Sequence, residues 1–224
     1  MTSLATFGPY VRADGVWSQV VRPAGRGQRS RPALFLDRDG VINDDVGYLH
    51  HPEEVRLISG AAATIAAANR MGIPVVVVTN QGGIGLGYFD WAGFAIVQER
   101  LLDLLAAGGA IVDGVFASPH HPRGLGDYAH PSHPSRKPNP GMFLMAAEWL
   151  AIDLARSWVV GDHCRDLEAG KKAGIAGGMH VLTGHGGEDG QRDGALALAD
   201  AGFRVLTANS IAAAVREIPL FSDD

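Results

Sequence analysis

Residues 33–40 read Ala-Leu-Phe-Leu-Asp-Arg-Asp-Gly. An unbroken apolar run enters a turn that carries two acids and a glycine. Runs of this kind, bounded by turn signals, suit strands buried on both faces, as in a parallel sheet. Similar runs recur at Pro74–Thr79, Val115–Ala117, Trp158–Gly161 and Met179–Leu182, with a weaker one at Phe203–Leu206. Helical patterns separate them: Gly60–Met71, with Ser59 as a candidate N-cap and Gly72 as a stop, then Trp91–Ala107, Gly141–Ala151, Leu167–Ala173 and Ser210–Ile218. Strands alternating with helices imply right-handed crossovers and an α/β sandwich around a central parallel sheet.

Composition narrows the class. The chain has 224 residues, with 46% hydrophobic and 19% charged, so it is globular and too apolar for disorder. The length predicts one decorated domain over residues 31–224. Its net charge of −5 argues against a nucleic-acid binder, and its longest apolar runs are too short to span a bilayer. One cysteine, Cys164, excludes an internal disulfide framework; with no signal-peptide pattern at the start, a cytoplasmic protein is expected. Residues 1–30 hold a local hairpin signal (Tyr10–Arg12, Asp14–Gly15, Val16–Val21) and a Gly/Arg linker, Ala24–Ser30, with a disordered extension as the alternative. Residues 118–140 hold six of the 12 prolines and four of the nine histidines, a density that predicts a loop.

In an open α/β sheet, ligands bind beyond the carboxyl ends of the strands. Those ends carry Asp37-Arg38-Asp39-Gly40, then Thr79-Asn80-Gln81, then Arg136-Lys137-Pro138 after the proline-rich loop, then Gly161-Asp162 with Asp166 four residues on. Each has a plain alternative: a turn, a cap, a solvated basic loop, or an N-cap with a first-turn acid. Together they compose one chemistry. Asp37, Asp162 and Asp166 on one edge would repel unless a hard cation lay between them, and oxygen ligands suit Mg²⁺. A carboxylate beside Mg²⁺ can attack phosphorus. Thr79 and Asn80 can donate hydrogen bonds to phosphoryl oxygens and Lys137 can neutralise their charge. Asp39 can protonate a leaving oxygen and later deprotonate water.

This set resembles the haloacid-dehalogenase-like (HAD) superfamily of phosphohydrolases. The stretches FLDRDGVIN, GYLH, VVVTNQGGIGLGYF, SPHHP, RKPNPGM and VVGDHCRDLEAG are similar to those of D-glycero-D-manno-heptose 1,7-bisphosphate phosphatases and their histidinol-phosphatase relatives, over Ala33–Thr183. The resemblance implies a Rossmann-like three-layer sandwich without a cap domain. It implies Asp37 as nucleophile, Asp39 as general acid/base, Thr79 and Lys137 on the phosphoryl group, and Arg136 on the substrate. One Mg²⁺ per chain would be held by Asp37, the Asp39 carbonyl, Asp162 and Asp166. The substrate side would comprise Asp45, Gly47, Tyr48, Asn80, Gln81, Arg136 and His163, and the substrate would be a small phosphorylated metabolite, with a monomeric enzyme expected.

Departures concern the substrate more than the reaction. Val46, Gly82, Leu86 and His163 stand where relatives commonly carry His, Ser, Arg and Lys. Histidinol-phosphatase activity, another small phosphate ester, and a silent phosphate-binding domain are therefore the alternatives. Relatives often hold the proline-rich loop with zinc, on positions that here are Ser118, His120, His133 and Ser135. Serine is a poor zinc ligand, so no structural zinc is expected, even with His121 and His130 nearby.

Overall fold

The chain's apolar runs become the centre of one sheet. The computed structural model describes residues 10–23, 25 and 29–222. Residues 1–9 of the expected extension, and 24 and 26–28 of its linker, lie outside these. In chain order the strands are β1 (Trp17–Val20), β2 (Leu34–Leu36), β3 (Val75–Asn80), β4 (Gly114–Ser118), β5 (Trp158–Gly161), β6 (Gly177–Val181) and β7 (Arg204–Ala208). The helices are α1 (Ala61–Arg70), α2 (Gly82–Gly85), α3 (Trp91–Ala107), α4 (Gly141–Leu150), α5 (Cys164–Ala173), α6 (Gln191–Leu196) and α7 (Ala214–Glu217). Strand order is β1-β4-β3-β2-β5-β6-β7, and every pairing except β1–β4 is parallel. This is the expected α/β sandwich.

Alternation explains why the central strands read as unbroken apolar runs. Leu34, Leu36, Val75 and Val77 join the core on one face of the sheet; Ala33, Phe35, Val76 and Val78 join the core on the other. Phe35 lies opposite Val76 on one side and Val159 on the other, which puts β2 at the centre of the sheet. Each strand can therefore afford no polar face.

Helix boundaries differ from the sequence reading at their starts. Gly60, not Ser59, caps α1, in a left-handed conformation with φ 87°. Helix α5 begins at Cys164 rather than Leu167, because His163 and Asp166 form a capping box at its start. The final helical segment is a 3₁₀ turn (Ile211–Ala213) leading into α7. The short α2 and α6 had no periodic signal; α2 is glycine-rich and α6 spans only Gln191–Leu196.

The N-terminal segment is built into the sheet. A turn at Gly15 (φ 79°) follows the expected hairpin signal, with a bridge from Val11 to Trp17. Strand β1 then pairs antiparallel with β4, Trp17 opposite Ala117. The Trp17 ring is 2% exposed and lies 5.1 Å from Phe94, 5.5 Å from Trp91 and 5.2 Å from Tyr10. A boundary at residue 30 therefore does not separate this segment from the sheet's core. Trp17→Ala should lower unfolding free energy by about 3–5 kcal/mol, as for other buried large-to-alanine changes. Urea denaturation measures it; a loss under about 1 kcal/mol would detach β1 from the cooperative unit.

Candidate active site

The loops leaving β2, β3, β4, β5 and β6 meet at one edge of the sheet and enclose a cavity of about 350 Å³. Asp37, Asp39, Asp45, Gly47, Tyr48, Thr79, Asn80, Gln81, Arg136, Asp162 and His163 all line it. Lys137 and Asp166 lie just beneath, each 1% exposed.

Lys137 organises the floor. Its ammonium lies 3.0 Å from Asp37 Oδ1 and 2.8 Å from Asp166 Oδ1, and donates to the Val78 carbonyl at 2.9 Å. Burial works against its charge, but Asp166 and Asp37 outweigh it and raise its pKa. Asp166 is also buried, yet Lys137 and Arg165 hold its carboxyl below the usual range. Asp37 goes the other way: burial pushes it up to about 6, against the pull of Lys137. Asp162 rises further, to about 8, through burial and the neighbouring Asp166 and Asp37.

One lysine does not balance three carboxylates. Asp37, Asp162 and Asp166 offer oxygens within 4.8 Å of one another, the one such group of potential ligands among the described residues. Asp162 Oδ2 accepts from the His185 amide at 2.8 Å, whereas Asp162 Oδ1 is buried without a partner. A buried, unpartnered carboxylate oxygen beside two further carboxylates is a donor set that fits a small hard cation such as Mg²⁺. Gly40 and Gly184 make room for Asp162: a Cβ on either would stand 2.3 Å from its Oδ2.

Asp39 occupies a separate bonded frame. Arg38 grips it with two bonds, Nε to Oδ1 at 3.0 Å and Nη2 to Oδ2 at 2.8 Å. Asn43 donates to Oδ1 and Gln81 to Oδ2, both at 2.9 Å. Burial opposes ionisation, but Arg38 and these donors overcome it and lower the Asp39 pKa. Gln81 also donates to Thr79 Oγ1 at 2.9 Å. The side-chain amide of Asn80 is committed to the backbone of Lys137, donating to its carbonyl and accepting from its amide, both at 3.0 Å. Asn80 and Gln81, expected against the substrate, thus use their amides to hold Lys137 and Asp39.

Sequence reasoning missed Arg38, Arg165 and His185. Arg38 and Arg165 sit inside the quoted motifs, but neither follows a strand directly. His185 lies past the end of β6, in a Gly-rich turn with no motif of its own. It lies 2.9 Å from Asp45 Oδ2 and 2.6 Å from Glu188 Oε1, so it ties down the loop that carries Tyr48. Burial and Arg165 press the His163 pKa down to about 4, and its ring stacks on His185 at 4.7 Å.

The proline-rich loop lacks a zinc donor set. The His120 and His133 rings stack at 3.4 Å, and their Nδ1 atoms are engaged by Ser118 Oγ and the Ser135 amide, both at 3.2 Å. Two hydroxyls in place of sulfur or nitrogen donors do not fit a closed zinc site.

Fold and floor together define a phosphohydrolase of the aspartate-centred α/β class, and comparison with known proteins agrees. Residues 134–203 match the HAD-hydrolase-like family model. A D-glycero-β-D-manno-heptose-1,7-bisphosphate 7-phosphatase of Mesorhizobium japonicum is 55% identical over 150 residues, 67% of this chain and 69% of that protein. The Escherichia coli K12 protein of the same name is 40% identical over 156 residues, covering 70% and 82%. The crystal structure of a D,D-heptose 1,7-bisphosphate phosphatase from B. bronchiseptica, complexed with magnesium and phosphate, superposes with TM-score 0.68 at 34% identity, covering 81% of this chain and 94% of that one. The chain belongs to the heptose-bisphosphate 7-phosphatase family of HAD-like hydrolases. No helix among the described residues is long and apolar enough to cross a membrane.

The raised carboxylates predict proton-linked behaviour. Stability from a carboxyl with a raised folded pKa is complete below its unfolded value and lost as pH rises through the folded one. Chelated protein should therefore lose stability from near pH 4 to near pH 8, the span from the ordinary carboxylate value of 3.8 to the values of about 6 and 8. Added Mg²⁺ should restore it, with affinity rising and protons released over the same span. Calorimetry in buffers of different ionisation enthalpy measures this; pH-independent Mg²⁺ affinity would refute the account.

Proposed function

We propose that this enzyme removes the C7 phosphate of D-glycero-D-manno-heptose 1,7-bisphosphate through an aspartyl-phosphate on Asp37. The observation that carries this reading is the placement of Asp37. It opens into the cavity, held by Lys137 at 3.0 Å, with carboxylate oxygens of Asp162 and Asp166 within 4.8 Å. The names of the relatives supply the substrate.

Asp37 presents an oxygen to the phosphorus, and the bond to the sugar oxygen breaks as the new one forms. Thr79 and Lys137 stabilise the phosphoryl oxygens. Asp37, the Asp39 carbonyl, Asp162 and Asp166 would hold Mg²⁺, which would supply neutralisation of the charge at the site. Asp39 gives a proton to the leaving oxygen, then takes one from the water that hydrolyses the acyl phosphate and frees Asp37. Gripped by Arg38, Asp39 rests as the carboxylate, the form needed for the water step; for the first step that grip loosens and Asp39 takes up a proton from solvent before passing it to the leaving oxygen. Asp45, Gly47, Tyr48 and His163 face the sugar. The enzyme works as a cytoplasmic monomer, without zinc in its proline-rich loop.

Asp37→Asn should abolish turnover, because an amide is a poor nucleophile. Asp39→Asn should cost about 10²–10⁴-fold in kcat, the usual contribution of a positioned acid/base, with Mg²⁺ affinity nearly unchanged. Phosphate release from a panel of esters tests substrate and mechanism together. Preference for histidinol phosphate would overturn the sugar assignment, absence of all hydrolysis would favour a silent binding domain, and an active Asp37→Asn would exclude the covalent route. Elemental analysis of untagged protein should find no zinc; one equivalent per chain would refute that part.

A further inference from the structure

The loop after β6 is pressed against the floor of the site. Gly184 (φ 59°) has no room for a side chain, since a Cβ there would stand 2.3 Å from Asp162 Oδ2 and 2.6 Å from Gly40 Cα. Thr183 Oγ1 donates to the Gly40 carbonyl at 2.6 Å, and the His185 amide donates to Asp162 Oδ2 at 2.8 Å. The His185 backbone is thereby fixed relative to Asp162. Its ring reaches away from the floor. Nε2 lies 2.9 Å from Asp45 Oδ2 and Nδ1 lies 2.6 Å from Glu188 Oε1, while the ring stacks on His163 with centroids 4.7 Å apart.

Asp45 begins the turn that carries Tyr48. Its Oδ1 accepts from the Gly47 amide at 2.7 Å, closing the turn at Gly47 (φ 87°). Burial contributes little here, because Val46 is 54% exposed and Tyr48 is 49% exposed. Tyr48 meets the Tyr88 ring at 4.5 Å and lies over Gly83, where a Cβ would stand 2.7 Å from it. Among the described residues, Asp45 with His185 is the one acid–base contact that reaches residues 44–48. An exposed turn with so few apolar contacts opens readily unless such a bond holds it.

We propose that His185 is a positioning residue that latches the Asp45–Tyr48 turn over the cavity and indexes it to Asp162, so that the enzyme discriminates among phosphate esters by the part beyond the phosphoryl group. This rests on the reading that the turn faces the sugar. The phosphoryl group itself reacts at the floor, with Asp37, Lys137 and Thr79. His185 has a competing structural role as a support for Asp162. That support runs through its main-chain amide, which every residue except proline supplies. Only the ring reaches Asp45, and substitution of the side chain separates the two roles.

The test compares kcat/KM for D-glycero-D-manno-heptose 1,7-bisphosphate and for acetyl phosphate, which carries no sugar, in the parent enzyme, His185→Ala and His185→Gln. His185→Ala should lower the heptose-to-acetyl ratio about three- to thirtyfold, chiefly through the KM for the heptose, the effect of a charge-assisted bond discounted for a partly exposed ring. His185→Gln, which keeps a donor near Nε2, should recover part of the ratio. Equal loss on both esters would overturn the proposal and leave His185 as a support for Asp162 alone. Hydrogen exchange in the ligand-free protein reads the latch without turnover. The amides of Asp44 and Gly47, both hydrogen-bonded, should exchange about tenfold faster in His185→Ala, while those of α5 keep their protection. Unchanged exchange at Asp44 and Gly47, or equal loosening of α5, would overturn the latch. A parent enzyme that hydrolyses neither ester would refute the functional reading, and exchange would still decide the latch.

Discussion

The site depends on a buried ammonium placed between two carboxylates. Lys137 is 1% exposed, so its charge is stable only because Asp37 and Asp166 lie within 3.0 Å and 2.8 Å of it. Removing either partner would leave an uncompensated buried ion, which is far costlier than losing a surface pair. The contact fixes three chain segments at once: the end of β2, the start of α5 and the close of the proline-rich loop. Asn80 completes it by holding the Lys137 backbone from the end of β3.

A second chain of contacts runs outward from Asp39. Its carboxylate is held by Arg38, whose guanidinium lies 5.3 Å from the Phe94 ring centroid. Phe94 in turn packs on Trp17 of β1 and Trp91 of α3. The N-terminal segment therefore buttresses the same helix that supports the Arg38–Asp39 pair. Guanidinium against an aromatic face adds attraction where water is excluded. An edge strand that pairs antiparallel also ends the sheet without a further crossover.

Most of the architecture was legible because burial on both faces leaves a plain signature. Runs such as Leu34–Leu36 and Val75–Val78 admit no polar alternation, and the helices between them are long enough to show a period. The elements that escaped are those stabilised by specific bonds rather than by patterning. Helix α2 is four residues of glycine and isoleucine, and the start of α5 depends on a capping box. The membership of β1 in the sheet rests on pairing with residues some hundred positions away, which no local pattern encodes.

The sequence by itself determined the fold class and the acids at the strand ends, because both follow from short-range rules: alternation across a pleat, and the geometry of strand-to-loop turns. Residue types at Asp37, Asp39, Thr79, Lys137, Asp162 and Asp166 also pointed to cation-assisted phosphoryl chemistry, with a silent phosphate-binding domain as the alternative. Only the tertiary structure decided how these groups share charge. It placed Lys137 with Asp37 and Asp166, left Asp162 Oδ1 without a partner, and turned the Asn80 and Gln81 amides inward. It also brought Arg165 and Arg136 to one cavity from segments separate in the chain. Ionisation and hydrogen bonding respond to distance and water access in three dimensions, and neither quantity exists until the strands are assembled.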